Sequence, residues 1–178
     1  MNQSNVRAAP VELSESDEEP VIVERADGLK HPSPLHARAF LGLVRAGQEL
    51  ERELDAQLKS GHGLGLRAFE VLLHLAVFSS DGSLRIAQLT EQAPLSQSRV
   101  SRMIADLEAD QLVKRSVFES DSRGVVVSIT DAGLHKLRES QDTHIAGLRR
   151  LLFSRLDRDE IATLARLTER ILEEPVDA

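Results

Sequence analysis

The stretch "LSQSRVSRMIADLEADQLVKRSVFESDSRGVVVSITDAG", residues 95–133, changes its periodicity twice. Its first part places Val100, Met103, Ile104 and Leu107 at helical spacing, with Gln97, Ser98, Arg99, Ser101, Arg102 and Asp106 on the opposite face. Ser96 stands where a helix N-cap belongs, with a hydroxyl that can accept from the first-turn N–H groups. Strand-like runs follow: Leu112, Val113, Ser116, Val117 and Phe118, then Val125 to Ile129. Between them, Asp121-Ser122-Arg123-Gly124 has turn chemistry. The pattern predicts a helix, then a β-hairpin with an arginine at its tip, then a helix capped by Thr130 or Asp131.

Working upstream, "IAQLTEQA" (86–93) predicts a short helix with Ile86, Leu89 and Ala93 inward, separated from the next helix only by Pro94-Leu95. Two helices at that spacing form a helix-turn-helix, and the hairpin makes it a winged one. "SLRI" (83–86) suits a short strand. A helix over 66–78 buries Phe69, Leu72, Leu73, Ala76 and Val77, and a longer one over 35–59 carries Phe40, Leu43, Val44, Gly47, Leu50, Leu54 and Leu58 at helical spacing. Glycines of "SGHGLG" (60–65) end it.

Downstream, residues 131–156 place Leu134, Leu137, Ile145, Leu148 and Leu152 inward. The last helix opens at "DRDE" (157–160) with capping-box spacing, then runs through Ile161, Leu164, Leu167 and Ile171. Residues 1–34, rich in Ser, Glu and Pro, predict a disordered acidic tail, in which only "VIVE" (21–24) has strand character. The fold class is mainly α with a small β-hairpin wing: a winged helix-turn-helix flanked by N- and C-terminal helices.

Composition bounds the chemistry. The chain has no cysteine, which excludes disulfides and thiol chemistry and fits a reducing cytoplasm. No apolar run reaches the length of a membrane span, and the N-terminus lacks the apolar core of a signal peptide. With five Phe and no Trp or Tyr, the core must be aliphatic. The net charge of −7 argues at first against nucleic acid, but residues 1–35 hold seven acids and three bases. That segment's −4 leaves −3 for the remainder, and DNA contact requires only a local cationic surface.

The helix beginning at Ser96 has the face that a major-groove reader needs. Gln97, Ser98 and Ser101 are small or hydrogen-bonding, and Arg99 and Arg102 can fork onto guanine or clamp phosphate. A guanidinium on a thin hairpin, Arg123, suits the negative potential of the minor groove, with Asp121 to hold its direction. Lys114 and Arg115, at the hairpin base, are placed for backbone contacts. The competing class is an enzyme, but the chain has no G-x-S-x-G, no P-loop and no Rossmann glycine pattern. The six histidines form no H-x-x-x-H or H-E-x-x-H pair, so no metal site or cofactor is expected. A winged helix used only for protein–protein contact is the other alternative. It has no need of Arg99, Arg102 and Arg123 together.

"LSQSRVSRMIADLEADQLVKR" (95–115) followed by "DSRGVVVSITDAG" (121–133) resembles the MarR family of winged-helix transcriptional regulators. Leu107-Glu108 and Leu112-Val113 match the family's exit from the recognition helix. Asp121 and Arg123 match its D-x-R wing, and Ile129-Thr130 with Gly133 its next helix start. Gln111 stands where glycine is usual, which bears on the tightness of that turn. The resemblance covers roughly residues 36–173. The acidic tail (1–34) lies outside it; for the body (35–178) it implies dimerisation helices (35–60 and 131–174) and a DNA-binding lobe (66–130). It further implies a homodimeric, ligand-responsive repressor on a pseudo-palindromic operator, with half-sites about 10 bp apart. The implied effector is a small aromatic or phenolic acid seated between the dimerisation helices and the winged helix, with His36, Phe40 and His74 as candidate lining residues. Without cysteine the peroxide-sensing branch is excluded, and without tryptophan the urate-responsive branch does not fit.

Overall fold

The computed structural model describes residues 20–79, 81–92, 96–118 and 121–173, and the chain forms two compact units, 1–47 and 48–178. In the first, β1 (Ile22–Glu24) and β2 (Lys30–Pro32) form an antiparallel hairpin with Val23 opposite His31. Lys30 pairs with Glu24 across it at 3.7 Å. This corrects the expectation of a structureless segment over 1–34, as far as residues 20–34 go; residues 1–19 lie outside those described. The run "VIVE" supplies β1, and Gly28, at φ +82°, makes the return.

Helix α1 (Pro34–His62) begins directly behind the hairpin. Ser33, fully buried, joins the two. Its N–H donates to Val21 O (3.0 Å), its carbonyl accepts from Ala37 N (2.8 Å), and its hydroxyl lies 2.7 Å from His36 Nδ1. Proline at the first helical position loses no hydrogen bond there. Of the apolar stripe expected on α1, Leu54 and Leu58 are buried, whereas Phe40 is 63% exposed and Leu43 and Val44 are exposed too.

In the second unit, α2 (Leu66–Val77), β3 (Ser83–Arg85), α3 (Ile86–Gln92), α4 (Gln97–Ala109), β4 (Val113–Phe118) and β5 (Asp121–Ile129) make the winged helix. The sheet order is β3-β5-β4, all antiparallel. One aliphatic core links the elements: Leu58, Phe69, Leu72, Leu75, Leu89, Val100, Ile104, Val113 and Val127 are all but inaccessible. Each such side chain contributes roughly 1.5–3 kcal/mol by leaving water. The wing departs from expectation at one point. Asp121–Gly124 belong to β5 and not to a turn, and the register jumps there, Val117 facing Val125 while Phe118 faces Asp121.

Helix α5 (Asp131–Leu148) continues through a π-helical turn, Arg149–Phe153, closed by Ser154 N to Arg149 O at 2.8 Å. Then α6 (Arg158–Leu172) starts with the capping box foreseen from its spacing. Asp157 accepts from Asp159 and Glu160 N–H, both at 2.9 Å, and Glu160 accepts from Asp157 N–H. On α5, Leu137 is buried but Ile145 is 44% exposed; on α6, Leu167 and Ile171 face outward rather than into the core. The helical period was right: Leu134, Leu148, Leu152, Ile161 and Leu164 are half-buried, and only Ile145, Leu167 and Ile171 of the expected stripes meet solvent.

The junction of α4, β4 and α5 is the tightest part of this unit. Leu112 N donates to Leu107 O (2.9 Å) and Gln111 N to Glu108 O (3.0 Å), the pair of bonds that defines a Schellman helix end. That ending requires a left-handed residue, and Gln111 occupies it at φ +62°. The position is the one where the family pattern has glycine, so the chain retains the turn and carries the steric cost of a Cβ, about 1–2 kcal/mol. Gly133 on α5 sits so close that an added Cβ would meet Leu112 O at 2.1 Å and Ile129 Cγ1 at 2.9 Å.

Two substitutions test this junction by chemical denaturation. Gln111→Gly should stabilise the protein by about 1 kcal/mol, because glycine relieves the left-handed strain. Gly133→Ala should destabilise it by about 2–3 kcal/mol, because the carbonyl it would strike is fixed by two hydrogen bonds.

Candidate nucleic-acid interface

Helix α4 is held by its back. Val100, Ile104 and Leu107 are buried, and α3 packs against it through the core that contains Leu89. The opposite face is therefore presented to solvent: Ser96, Gln97, Ser98, Arg99 and Arg102 are exposed and Ser101 is half-buried. Among the described residues neither Arg99 nor Arg102 has an ion-pair partner. Two free guanidiniums and the unsatisfied N–H groups of a helix start thus share one surface.

Ser96 occupies the N-cap position with extended backbone, and its carbonyl accepts from Arg99 N (2.9 Å) and Val100 N (3.0 Å). Its hydroxyl does not cap the helix, contrary to expectation. It lies 3.1 Å from the Ser98 hydroxyl, so the first turn has no side-chain cap.

On the wing, Lys114 is exposed and, among the described residues, without an ion-pair partner. Arg115 is not free, in contrast to the backbone contact expected of it. Its Nε donates to Glu108 Oε2 at 2.6 Å, Nη2 pairs with the same carboxylate, and its backbone N–H donates to Glu108 Oε1 at 3.0 Å. The side-chain and backbone hydrogen bonds from Arg115 hold the Glu108 carboxyl below the usual carboxylate range. Asp121 and Arg123 lie on β5 as backbone; their expected pairing falls on side chains outside those described.

The three candidate effector residues are locally occupied or exposed. His36 Nδ1 is 2.7 Å from the Ser33 hydroxyl, and Phe40 is exposed. His74 Nδ1 donates to Glu70 O at 2.7 Å, and its ring lies 5.2 Å from that of Phe78. Among the described residues no group of three His, Asp or Glu could hold a metal ion, and no helix is long and apolar enough to cross a membrane.

Sequence reasoning missed the contact between Glu108 and Arg115 and the double role of Thr130. The hydroxyl of Thr130 accepts from Gly133 N (3.0 Å), as a helix cap does, and lies 2.7 Å from Gln111 O and 3.0 Å from Leu112 O, donating its proton there. Glu108 and Arg115 are seven residues apart across a change of secondary structure, a separation to which no helical or strand period assigns a contact.

An exposed, unpaired helix face backed by an aliphatic core and flanked by an antiparallel wing defines a winged helix-turn-helix protein. The family model described as MarR family matches residues 62–124. Sco3205, a MarR family transcriptional regulator from Streptomyces coelicolor solved in complex with DNA, is 28% identical. It aligns over 83% of this chain and 94% of its own with a TM-score of 0.78. AbsC, from the same organism and family, is 26% identical over 80% of this chain and 95% of its own, with a TM-score of 0.75. An uncharacterised HTH-type transcriptional regulator, YwaE of Bacillus subtilis, is 31% identical over 97 residues, 54% of this chain. The chain spans about half the length of that curated relative, 55%. The chain is thus similar to MarR family regulators, in sequence over residues 62–124 and in fold over about four fifths of its length.

Because the Ser96 hydroxyl caps nothing, Ser96→Ala should change the unfolding free energy by less than about 0.5 kcal/mol, where loss of a true cap costs about 1 kcal/mol. A larger loss in a denaturant titration would restore the cap.

Proposed function

We propose that the protein is a sequence-specific regulator of transcription that binds double-stranded DNA as a homodimer in the cytoplasm. The observation that carries this reading is the pair of unpartnered arginines, Arg99 and Arg102, on the exposed N-terminal part of a helix whose other face is locked into the core. In the major groove they reach guanine O6 and N7 or phosphate, while Gln97, Ser98 and Ser101 approach base edges. The free N–H groups behind Ser96 face backbone phosphate. Lys114 supports the backbone contact, and Arg123 enters the minor groove, directed by Asp121. Of these groups only Asp121 is acidic, which is how a chain of net charge −7 can still offer a locally cationic surface.

The homodimer is supported by apolar side chains left in water: Phe40, Leu41 and Leu43 in the first unit, Ile145, Leu167 and Ile171 in the second. Such residues are the ordinary material of a subunit interface. On this reading residues 35–60 and 131–174 dimerise and 66–130 bind DNA. Each protomer then meets one half of a pseudo-palindrome with centres about 10 bp apart. A small aromatic or phenolic effector, bound near His36, Phe40 or His74, would release the protein from its operator and make it a ligand-responsive repressor.

Fluorescence anisotropy with the DNA upstream of the protein's own gene, against random duplex at two salt concentrations, tests the reading. Tight, salt-sensitive binding that outcompetes random DNA is expected; equal binding to both would refute sequence specificity. Arg99→Ala or Arg102→Ala should flatten the discrimination between the two duplexes, whereas equal loss on both would mean phosphate contact. Arg123→Ala should weaken binding by more than about tenfold while the dimer stays folded, as expected for a minor-groove guanidinium.

A further inference from the structure

Resting on the DNA-binding reading above, we propose that Glu108 and Arg115 form a positioning pair that fixes the wing against the recognition helix and thereby contributes to operator discrimination, although Glu108 is itself an acid. The geometry distinguishes this from incidental surface pairing. Glu108 lies in the last turn of α4 and Arg115 is the third residue of β4, so the pair bridges the two elements that touch DNA. One carboxylate takes three donors from one residue, the guanidinium by Nε and Nη2 and the backbone N–H. β4 is an edge strand, since the sheet order is β3-β5-β4, and the N–H of Arg115 points out of the sheet to the helix. A wandering surface ion pair would not also take a backbone donor.

The consequence is mechanical. Phe118 is three residues beyond Arg115 on β4, about 10 Å at the rise of an extended strand. A swing of about 10° at the base displaces the far end by nearly 2 Å, well beyond the tolerance of a hydrogen bond to a base or sugar. With the base clamped, wing and helix meet the duplex as one rigid body. Arg115 is then a positioning residue, and Lys114, one residue earlier and free of ion pairs among the described residues, is the backbone contact on β4.

The opposite assignment, Arg115 as a phosphate contact restrained by Glu108, predicts effects of opposite sign. Removing the acid would then free a cation and raise affinity for all DNA. The experiment uses the full chain. Wild-type protein first enriches its preferred duplex from a randomised pool, and Kd is measured for that duplex and a scrambled one of the same composition at several salt concentrations. The positioning pair predicts that Glu108→Gln, Arg115→Gln and Arg115→Lys each reduce the ratio of the two affinities by about tenfold, the double Gln variant little further, as coupled residues do. Thermal unfolding midpoints and salt slopes should stay unchanged. Lysine retains the charge but not the fork, so it separates the two assignments.

The proposal is overturned if Glu108→Gln tightens both duplexes, if Arg115→Lys retains full discrimination, or if Arg115→Gln weakens both duplexes equally with a salt slope lower by about one. A fall in the unfolding midpoint that parallels the loss of discrimination would assign the pair to folding alone and equally overturn it. If the wild type enriches no sequence, the DNA-binding reading fails, and this proposal with it.

Discussion

One hydroxyl group holds three elements together. Thr130 closes the first turn of α5 by accepting from Gly133, and turns its own proton toward the carbonyls of Gln111 and Leu112, where α4 gives way to β4. Its backbone N–H donates to Leu112 O as well, at 3.1 Å. The end of the reading helix, the base of the wing and the start of the long C-terminal helix are therefore set by a single residue. The left-handed Gln111 and the crowding at Gly133 follow from it: the chain must turn sharply to bring Leu112 to Thr130, and α5 must approach closely enough to be capped.

This joint explains how a small aliphatic core suffices for the winged helix. The apolar side chains of α2, α3 and α4 specify which faces meet, but aliphatic packing alone fixes orientation loosely. Directional contacts supply what packing does not: the Schellman pair at 107–112, the Ser83 and Ser128 hydroxyls 2.8 Å apart across β3 and β5, and Asp55 accepting from Leu66 N at 3.0 Å to start α2. The last of these replaces a local cap, since α2 begins at Gly65-Leu66 with no capping side chain of its own.

Much of this was legible in the sequence because it rests on short-range rules. The helical periods, the Asp157–Glu160 capping box, the Thr130 cap and the two wing strands are all set by residues within a few positions of one another. What escaped was non-local or depended on a partner. Glu108 and Arg115 meet across a change of period, and no propensity marks such a contact. Phe40, Ile145 and Ile171 obey the helical spacing of buried residues yet stand in water, because periodicity identifies an apolar face without saying whether the same chain covers it. Ser96 has the right residue type for a cap, but the neighbouring Ser98 offers its hydroxyl a competing partner. The hairpin at 22–32 was hidden by the acidic composition around it.

The position of β4 has a consequence beyond recognition. An uncovered edge strand is a template for the edge of another molecule, and a thin, exposed wing is where two copies would most readily join strand to strand. Here the exposed Lys114 and Arg115, adjacent in the strand, put a charge on either face of that edge, and the Glu108 carboxylate already occupies the N–H that an incoming strand would seek. The same contact that is proposed to orient the wing thus also withholds one donor of that edge from strand-to-strand pairing.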